Sequence, residues 1–440
     1  FYHHFGLEGM KVSKKFLVFL FLASMISGIF AFASWTGTIN VWGYTMSASW
    51  VAEQNSIFQQ FEKEHPGVKI NFVQLSWSNG GTKLSMAVAG GIPPDLAETS
   101  NIAFVKEGAV VPINDYIPKG YDYFSSALET FDFNGQIYAW PQYMVRGGII
   151  LNTDIFKERN VPLPKNGVWT WDEFVQDAKK LTFVDPKTHV QIYGFVFCPQ
   201  SEGWGMTQID GVMLLERKNG KWIFGYNTSD GIASLKRLWD LVHVYKVTPP
   251  DVGGYGNDND SWNVFTQGRA AMTVEWGWAI GSLRSYNASI ANGQTKGASP
   301  IHFAVADYPI GTLGKPMSGI VGVGSWMVFK QPTQNLEKRK LVMELASMLC
   351  GPEMQTSSAF PTEGVFPTLK SAASIYANDP DMKILSGVDG MVIEQYPLAA
   401  ANKIESLWTH EFQMILLNQV PLEQGVKDIA KQIDPLLTNN

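Results

Sequence analysis

Val274-Glu275-Trp276-Gly277-Trp278 sets one carboxylate beside two indoles directly after an apolar run. If that run is a strand, Glu275, Trp276 and Trp278 lie where it ends and project at a loop. Such a trio suits a polyhydroxylated ligand. A sugar ring has apolar C–H faces and a rim of hydroxyls, so its site needs aromatic plates together with Asp, Glu, Asn, Gln or Arg side chains. The competing role for the indoles is packing between helix and sheet, and the strand-end setting favours ligand contact by at least one of them. Residues 199–204 form a second group of the same chemistry. There Gln200, Glu202 and Trp204 supply an amide, an acid and an indole after an apolar stretch; a solvent-facing turn is the alternative.

The elements that would position such groups alternate. Thr38-Ile39-Asn40-Val41-Trp42 reads as a strand ending at Gly43-Tyr44, and residues 50–61 carry apolar side chains near helical spacing until His65-Pro66-Gly67 stops them. Val68-Lys69-Ile70-Asn71-Phe72-Val73 alternates as the next strand, residues 82–89 read as a helix, and Asp95-Leu96-Ala97-Glu98 begins a third strand. Strands alternating with helices indicate a parallel α/β sheet with crossovers. Ligands of such sheets bind beyond the carboxyl ends of the strands. Tyr44, Glu98, Thr99 and Asn101 are therefore expected at the ligand, with Trp42 in the core.

Further along, Thr170 with Glu173 forms a capping box for a helix over 170–181, and Asn219-Gly220 turns a hairpin over 214–224. Strands are expected over 270–275, 303–308 and 319–329, and helices over 336–350, 401–417 and 422–436. Gly319-Ile320-Val321-Gly322-Val323-Gly324 lacks the Lys-Ser/Thr of a phosphate loop and opens no helix after a first strand, so backbone approach to a ligand at Gly322 is the better reading. Asp251 and Asn257-Asp258-Asn259-Asp260 lack the spacing and glycine of a calcium loop and read as a polar lead into a helix. The seven histidines are dispersed, with no HExxH or CxxC. No metal and no cofactor is expected. Cys198 and Cys350 are expected as buried, unpaired thiols.

Location comes from residues 10–33. Lys11, Lys14 and Lys15 precede an apolar core from residue 16 to 26, and Ala31-Phe32-Ala33 gives the small-x-small cleavage pattern of an export signal. The run is shorter than the ~20 apolar residues of a membrane span. Cleavage after Ala33 leaves Ser34, not cysteine, at the new terminus, so an unlipidated extracytoplasmic protein, periplasmic or secreted, is expected. The 440-residue chain is too long for one core and suggests two domains. Its formal net charge of −6, spread along the chain, gives no footprint for nucleic acid or anionic membrane.

Several segments in order resemble family 1 extracellular solute-binding proteins of ABC sugar importers, the maltose-binding type. They are Phe61-Glu62-Lys63-Glu64-His65-Pro66-Gly67-Val68-Lys69-Ile70, Ala89-Gly90-Gly91-Ile92-Pro93-Pro94-Asp95-Leu96, Asn134-Gly135-Gln136-Ile137-Tyr138-Ala139-Trp140-Pro141, Ile150-Leu151-Asn152-Thr153-Asp154-Ile155-Phe156, Trp169-Thr170-Trp171-Asp172-Glu173-Phe174 and Phe265-Thr266-Gln267-Gly268-Arg269-Ala270-Ala271-Met272. The proline that precedes the tryptophan in the family's "P-TWdE" is absent here. The resemblance implies an α/β, two-lobed periplasmic-binding-protein fold of the class II type, with lobes interleaved in sequence and a hinged interlobe cleft. It implies an N-terminal lobe of 34–146 and 308–358, a C-terminal lobe of 147–307 and 359–440, and crossings near 143–148, near 303–309 and within 352–367. It places Gln142, Tyr143 and Arg146 at the first crossing, where relatives often carry a polar ligand contact; Arg146 could clamp a sugar acid or pair across the lobes. Trp278 and Trp408 fall at stacking positions of the maltose-type relatives, with core packing the alternative for Trp408.

The function so implied is non-enzymatic capture of a mono- or oligosaccharide by a monomer that delivers it to membrane permease subunits. A non-sugar solute (polyamine, peptide or anion) on the same fold is the alternative. An exported glycoside hydrolase is a weaker one, since Glu98, Glu202, Glu275 and Glu363 show no pairing in sequence.

Overall fold

The computed structural model describes residues 35–44, 46–200, 206–315, 319–386, 396, 398 and 400–438. The export segment, Glu202 and Trp204 lie outside the described residues. No helix among the described residues is long and apolar enough to cross a membrane.

Strand β1 (Gly37–Tyr44) is followed by α1 (Ala48–Glu64), β2 (Val68–Leu75), α2 (Gly80–Ala89) and β3 (Leu96–Glu98). Ser47 caps α1 by accepting the Trp50 N–H, and the helix buries Trp50, Ile57, Phe58 and Phe61 on one face. Then come β4 (Trp140–Asn152), α3 (Trp171–Lys180), β5 (Met272–Trp276), α4 (Gly277–Ala291), β6 (Phe303–Ala306), β7 (Gly319–Val328), α5 (Leu336–Leu349), α6 (Ala359–Glu363), β8 (Phe366–Pro367), α7 (Ala401–Leu416) and α8 (Leu422–Thr438). The capping box forms as the sequence indicates: the Thr170 hydroxyl accepts the Glu173 N–H while the Glu173 carboxylate accepts the Thr170 N–H at 2.7 Å. The Asn219-Gly220 turn also forms, both residues at positive φ.

The strands join in one eight-stranded sheet, in the order β5-β4-β7-β3-β1-β2, with β6 and β8 also pairing β4. β1 runs parallel to β2 and β3, as the alternation of strands and helices requires. The rest of the sheet departs from the parallel expectation. β7 lies antiparallel to both β3 and β4, and β5, β6 and β8 lie antiparallel to β4. The reason is β4 itself: its 13 residues form a continuous spine on which strands from distant parts of the chain pair.

That spine passes between two cores. Trp140 and Tyr143 pack with Val41, Trp50, Phe61, Trp326 and Leu345. Ile149 and Leu151 pack with Phe156, Phe174, Phe195, Tyr308, Trp408 and Phe412. A third cluster containing Ala97, Met144, Ile150, Val323, Phe366 and Leu385 takes the alternate residues of β4 and so lies on its other face. Ala359, Phe360 and Val365 belong with Trp50, on which Phe360 stacks at 5.3 Å. The chain thus stays with the first core to Val365 and returns to it at Ile375, beyond the residue-358 boundary implied by resemblance.

Cys198 and Cys350 carry buried thiols with no disulfide between them. The acidic stretch at 257–260 serves as a helix cap: the Asn257 side chain accepts the Asn259 N–H at 3.0 Å, and the Asp260 carboxylate accepts the Gly256 N–H at 2.7 Å. Among the described residues, the one grouping of His and carboxylate side chains close enough to hold a metal is elsewhere, at Glu64, His65 and Glu344 on the surface.

Candidate functional site

At the carboxyl ends of β1, β2 and β3, loop side chains face a cavity of 410 Å³, within the ~300–1,000 Å³ usual for ligand pockets. Trp77 projects from the turn after β2, which the Ser76 hydroxyl fixes by donating to Asn79 Oδ1 at 2.7 Å. Tyr44, the last residue of β1, stacks beneath the indole, with centroids 4.3 Å apart and planes inclined by 14°. One face of Trp77 is thus supported by a ring, and the side chain remains 61% exposed. That is the form of a plate awaiting an apolar ligand face.

The loop after β3 supplies Ser100, Asn101 and Ile102. Asn101 Oδ1 accepts the Ala103 N–H at 3.1 Å, which leaves the amide NH₂ to donate toward the cavity. Thr99 works behind it: its N–H donates to Ser325 O and its hydroxyl accepts the Asn101 N–H. β7 supplies Gly322, Val323 and Gly324, and β4 supplies Tyr143 and Val145. A Cβ at Gly324 would lie 2.1 Å from Cζ of Tyr143; only glycine lets the tyrosine ring lie across this strand. The far wall is Tyr396, Leu398 and the first two turns of α7, with Ala401, Asn402 and Glu405.

Glu98 organises this region from behind. It is 3% exposed. One carboxylate oxygen accepts the Tyr143 hydroxyl at 3.0 Å and the other accepts the Tyr44 N–H at 2.9 Å. Burial pushes its carboxyl up to about 7; the two hydrogen bonds oppose that and the nearby Glu363 carboxylate adds to it. Burial also raises the Tyr143 hydroxyl well above its ordinary range, with Glu98 contributing. The shared proton therefore stays on the tyrosine. Glu363 in turn accepts the Ser47 N–H at 2.9 Å.

The structure distributes the expected site residues unevenly. Asn101, Tyr143 and Gly322 line the cavity, Tyr44 supports its aromatic plate, and Glu98 and Thr99 hold the lining in place. Gln142 is corrected to a core residue: its amide donates to Leu349 O at 2.7 Å and accepts the Trp326 indole N–H at 2.9 Å. Arg146 is likewise turned inward, 5% exposed, donating to Leu385 O at 2.8 Å and lying over the Phe366 ring; burial pulls its guanidinium down to about 10. Glu275 is fully buried in β5. Trp276 packs against Gly147, where a Cβ would come within 2.3 Å of the indole. Trp408 is fully buried among Phe224, Tyr226 and Phe412 and packs the second core, apart from the cavity lining. Trp278 is half-buried edge-on to Trp262, apart from the cavity lining. Gln200 is exposed.

Trp77, Asn402 and Glu405 escaped the sequence reading. Trp77 had a usable signal, since it stands two residues past the end of β2 by the same strand-end rule that selected Tyr44. Asn402 and Glu405 had none, because only the packing of α7 brings them to this wall.

Residues 48–356 match the family described as bacterial extracellular solute-binding protein. A putative binding protein of Brucella abortus is 22% identical over 86% of this chain and 88% of its own. The diacetylchitobiose binding protein DasA of Streptomyces coelicolor is 24% identical over 78% of this chain and 77% of its own. An ABC transporter solute binding protein of Thermotoga lettingae, solved with α-D-tagatose, superposes with a TM-score of 0.73 at 22% identity, over 91% of this chain and all of the other. The fold is therefore that of two-lobed solute-binding proteins.

Proposed function

Because this chain belongs to the bacterial extracellular solute-binding protein family, we propose that it captures a carbohydrate in the cleft described above and delivers it to the permease of an ABC importer. The single observation that carries this reading is the Tyr44–Trp77 stack, an exposed aromatic plate beside the polar side chains of Asn101, Ser100 and Asn402. A sugar ring laid on Trp77 would match its C–H face to the indole and its hydroxyls to the amides. The names of the relatives agree, one being a diacetylchitobiose binding protein and another having been solved with α-D-tagatose.

The family binds solutes without chemistry, and the carboxylates here fit that role. Glu98 has both oxygens engaged by Tyr143 and Tyr44, so it positions rather than reacts. The site comprises Tyr44, Trp77, Asn101, Tyr143, Gly322, Asn402 and Glu405, with Glu98 and Thr99 behind them. The lobes divide where β4 passes between the cores, again between β6 and β7, and a third time between Ile375 and Tyr396. Ligand would draw them together by rotation at these crossings. The working form is an extracytoplasmic monomer, cleaved after Ala33 and without lipid.

A thermal-shift screen of mono- and oligosaccharides tests the reading, since a ligand that binds only the folded state raises the melting midpoint by mass action. A sugar that shifts the midpoint and quenches tryptophan fluorescence in the parent but not in Trp77→Ala supports it. A shift by an amine or peptide, with none by any sugar at millimolar concentration, refutes it.

A further inference from the structure

Charge on the cavity wall discriminates among carbohydrates, a step that rests on the carbohydrate reading of the same cavity. Glu405 is the one charged side chain among the described residues that line it. It stands one helical turn beyond Ala401 on α7, so the two share a face toward the cavity. No described residue hydrogen-bonds or ion-pairs with it, and burial raises its carboxyl above the ordinary value. Two further carboxylates, Glu98 and Glu363, stand behind the Tyr143 wall close enough to feel each other's charge.

No cation among the described residues balances them. Arg146 is occupied by Leu385 O and the Phe366 ring, facing away. Lys403 is exposed on α7 and does not line the cavity. Residues 201–205, 316–318 and 387–395 contain no Lys, Arg or His. An anionic ligand would therefore enter a partly desolvated, negative cleft that offers it only neutral donors. A protonated amine would instead give Glu405 the partner it lacks.

We propose that this cleft takes amino sugars in preference to their neutral counterparts and rejects uronic acids and sugar phosphates, with Glu405 as the specificity-determining residue. The test is calorimetric titration of the full protein near neutral pH with glucose, galactose and mannose and their β-1,4 disaccharides. Each is used as the neutral sugar, the 2-amino-2-deoxy sugar and the uronic acid. The amino form of the sugar that binds should be at least fivefold tighter than the neutral form, and the uronate at least tenfold weaker. The Glu405→Gln protein should narrow the amino-to-neutral ratio to below twofold, and Glu405→Asp should keep most of it. A uronate that binds as tightly as the neutral sugar overturns the proposal, as does an amino preference that survives Glu405→Gln. If a neutral sugar binds and its amino form binds no tighter, the charge inference alone fails. If no sugar binds in any form, the carbohydrate reading fails and takes the inference with it.

Discussion

Replacing Glu98 with glutamine should change how stability depends on pH, by an amount the structure sets. The carboxyl is fully buried and its folded-state pKa stands at about 7 against 4.5 for the free side chain. At ~1.4 kcal/mol per unit, the folded state prefers the protonated form by about 3 kcal/mol. Below pH 4.5 both folded and unfolded chains hold the proton and Glu98 contributes nothing to pH dependence. Between 4.5 and 7 the unfolded chain has released it while the folded chain retains it, so stability falls as pH rises; above 7 the full loss of about 3 kcal/mol is reached. The amide of the variant cannot titrate. Its Oε1 can accept the Tyr44 N–H while its NH₂ donates to the Tyr143 hydroxyl, much as the protonated carboxyl does below pH 7, so Glu98→Gln should cost no more than about 1 kcal/mol at pH 5. At pH 8 the variant should equal or exceed the parent, because the parent alone then carries a buried charge. Urea midpoints of both proteins at pH 5, 6, 7 and 8 give the difference curve. Asp307, also raised to about 7 by burial, is common to both proteins and cancels. A difference that stays flat from pH 5 to 8 would show that Glu98 is ionised throughout, and the reasoning about its burial would be refuted.

Trp77→Ala should weaken carbohydrate binding by about 1–2 kcal/mol, roughly 5- to 30-fold in Kd, and move the melting midpoint little because the indole is 61% exposed; unchanged affinity would remove it from the site. Trp408→Ala should do the opposite, lowering stability by about 3–5 kcal/mol through a cavity in the second core while folded protein keeps its affinity in titration. Gly324→Ala should displace the Tyr143 ring, which a Cβ would meet at 2.1 Å, and lower both unfolding midpoint and sugar affinity; retention of both would mean that the strand can shift freely. Thr170→Ala should cost about 1 kcal/mol by removing the α3 cap, read as a lower urea midpoint with sugar affinity intact.

Local rules served this chain well where the signal was local. The α1, β2 and α3 assignments followed from periodicity and caps, and the strand-end rule found Tyr44, Glu98 and Asn101 from one half of the sheet. The same rule misled at Glu275 and Trp276. Their strand end is covered by Gly147 of β4, a pairing between residues more than a hundred positions apart that no local pattern encodes. Gln142 and Arg146 carried polar chemistry suited to a ligand. The fold uses it instead to join β4 to Leu349, Trp326 and Leu385.

The sequence by itself determined the class of the protein: alternating strands and helices, the ordered motifs of a solute-binding family, and a likeness that covers most of the chain. Periodicity and turn chemistry act over a few residues, so they survive in a linear reading. Which aromatics meet the ligand was decided only by the tertiary structure. Trp77, Trp276 and Trp408 are the same side chain, and nothing in their immediate neighbours separates a plate on Tyr44 from a lid on Gly147 or a plug among Phe224 and Phe412. Burial depends on what the rest of the chain lays over each indole, and that is settled by packing across the two cores and along β4.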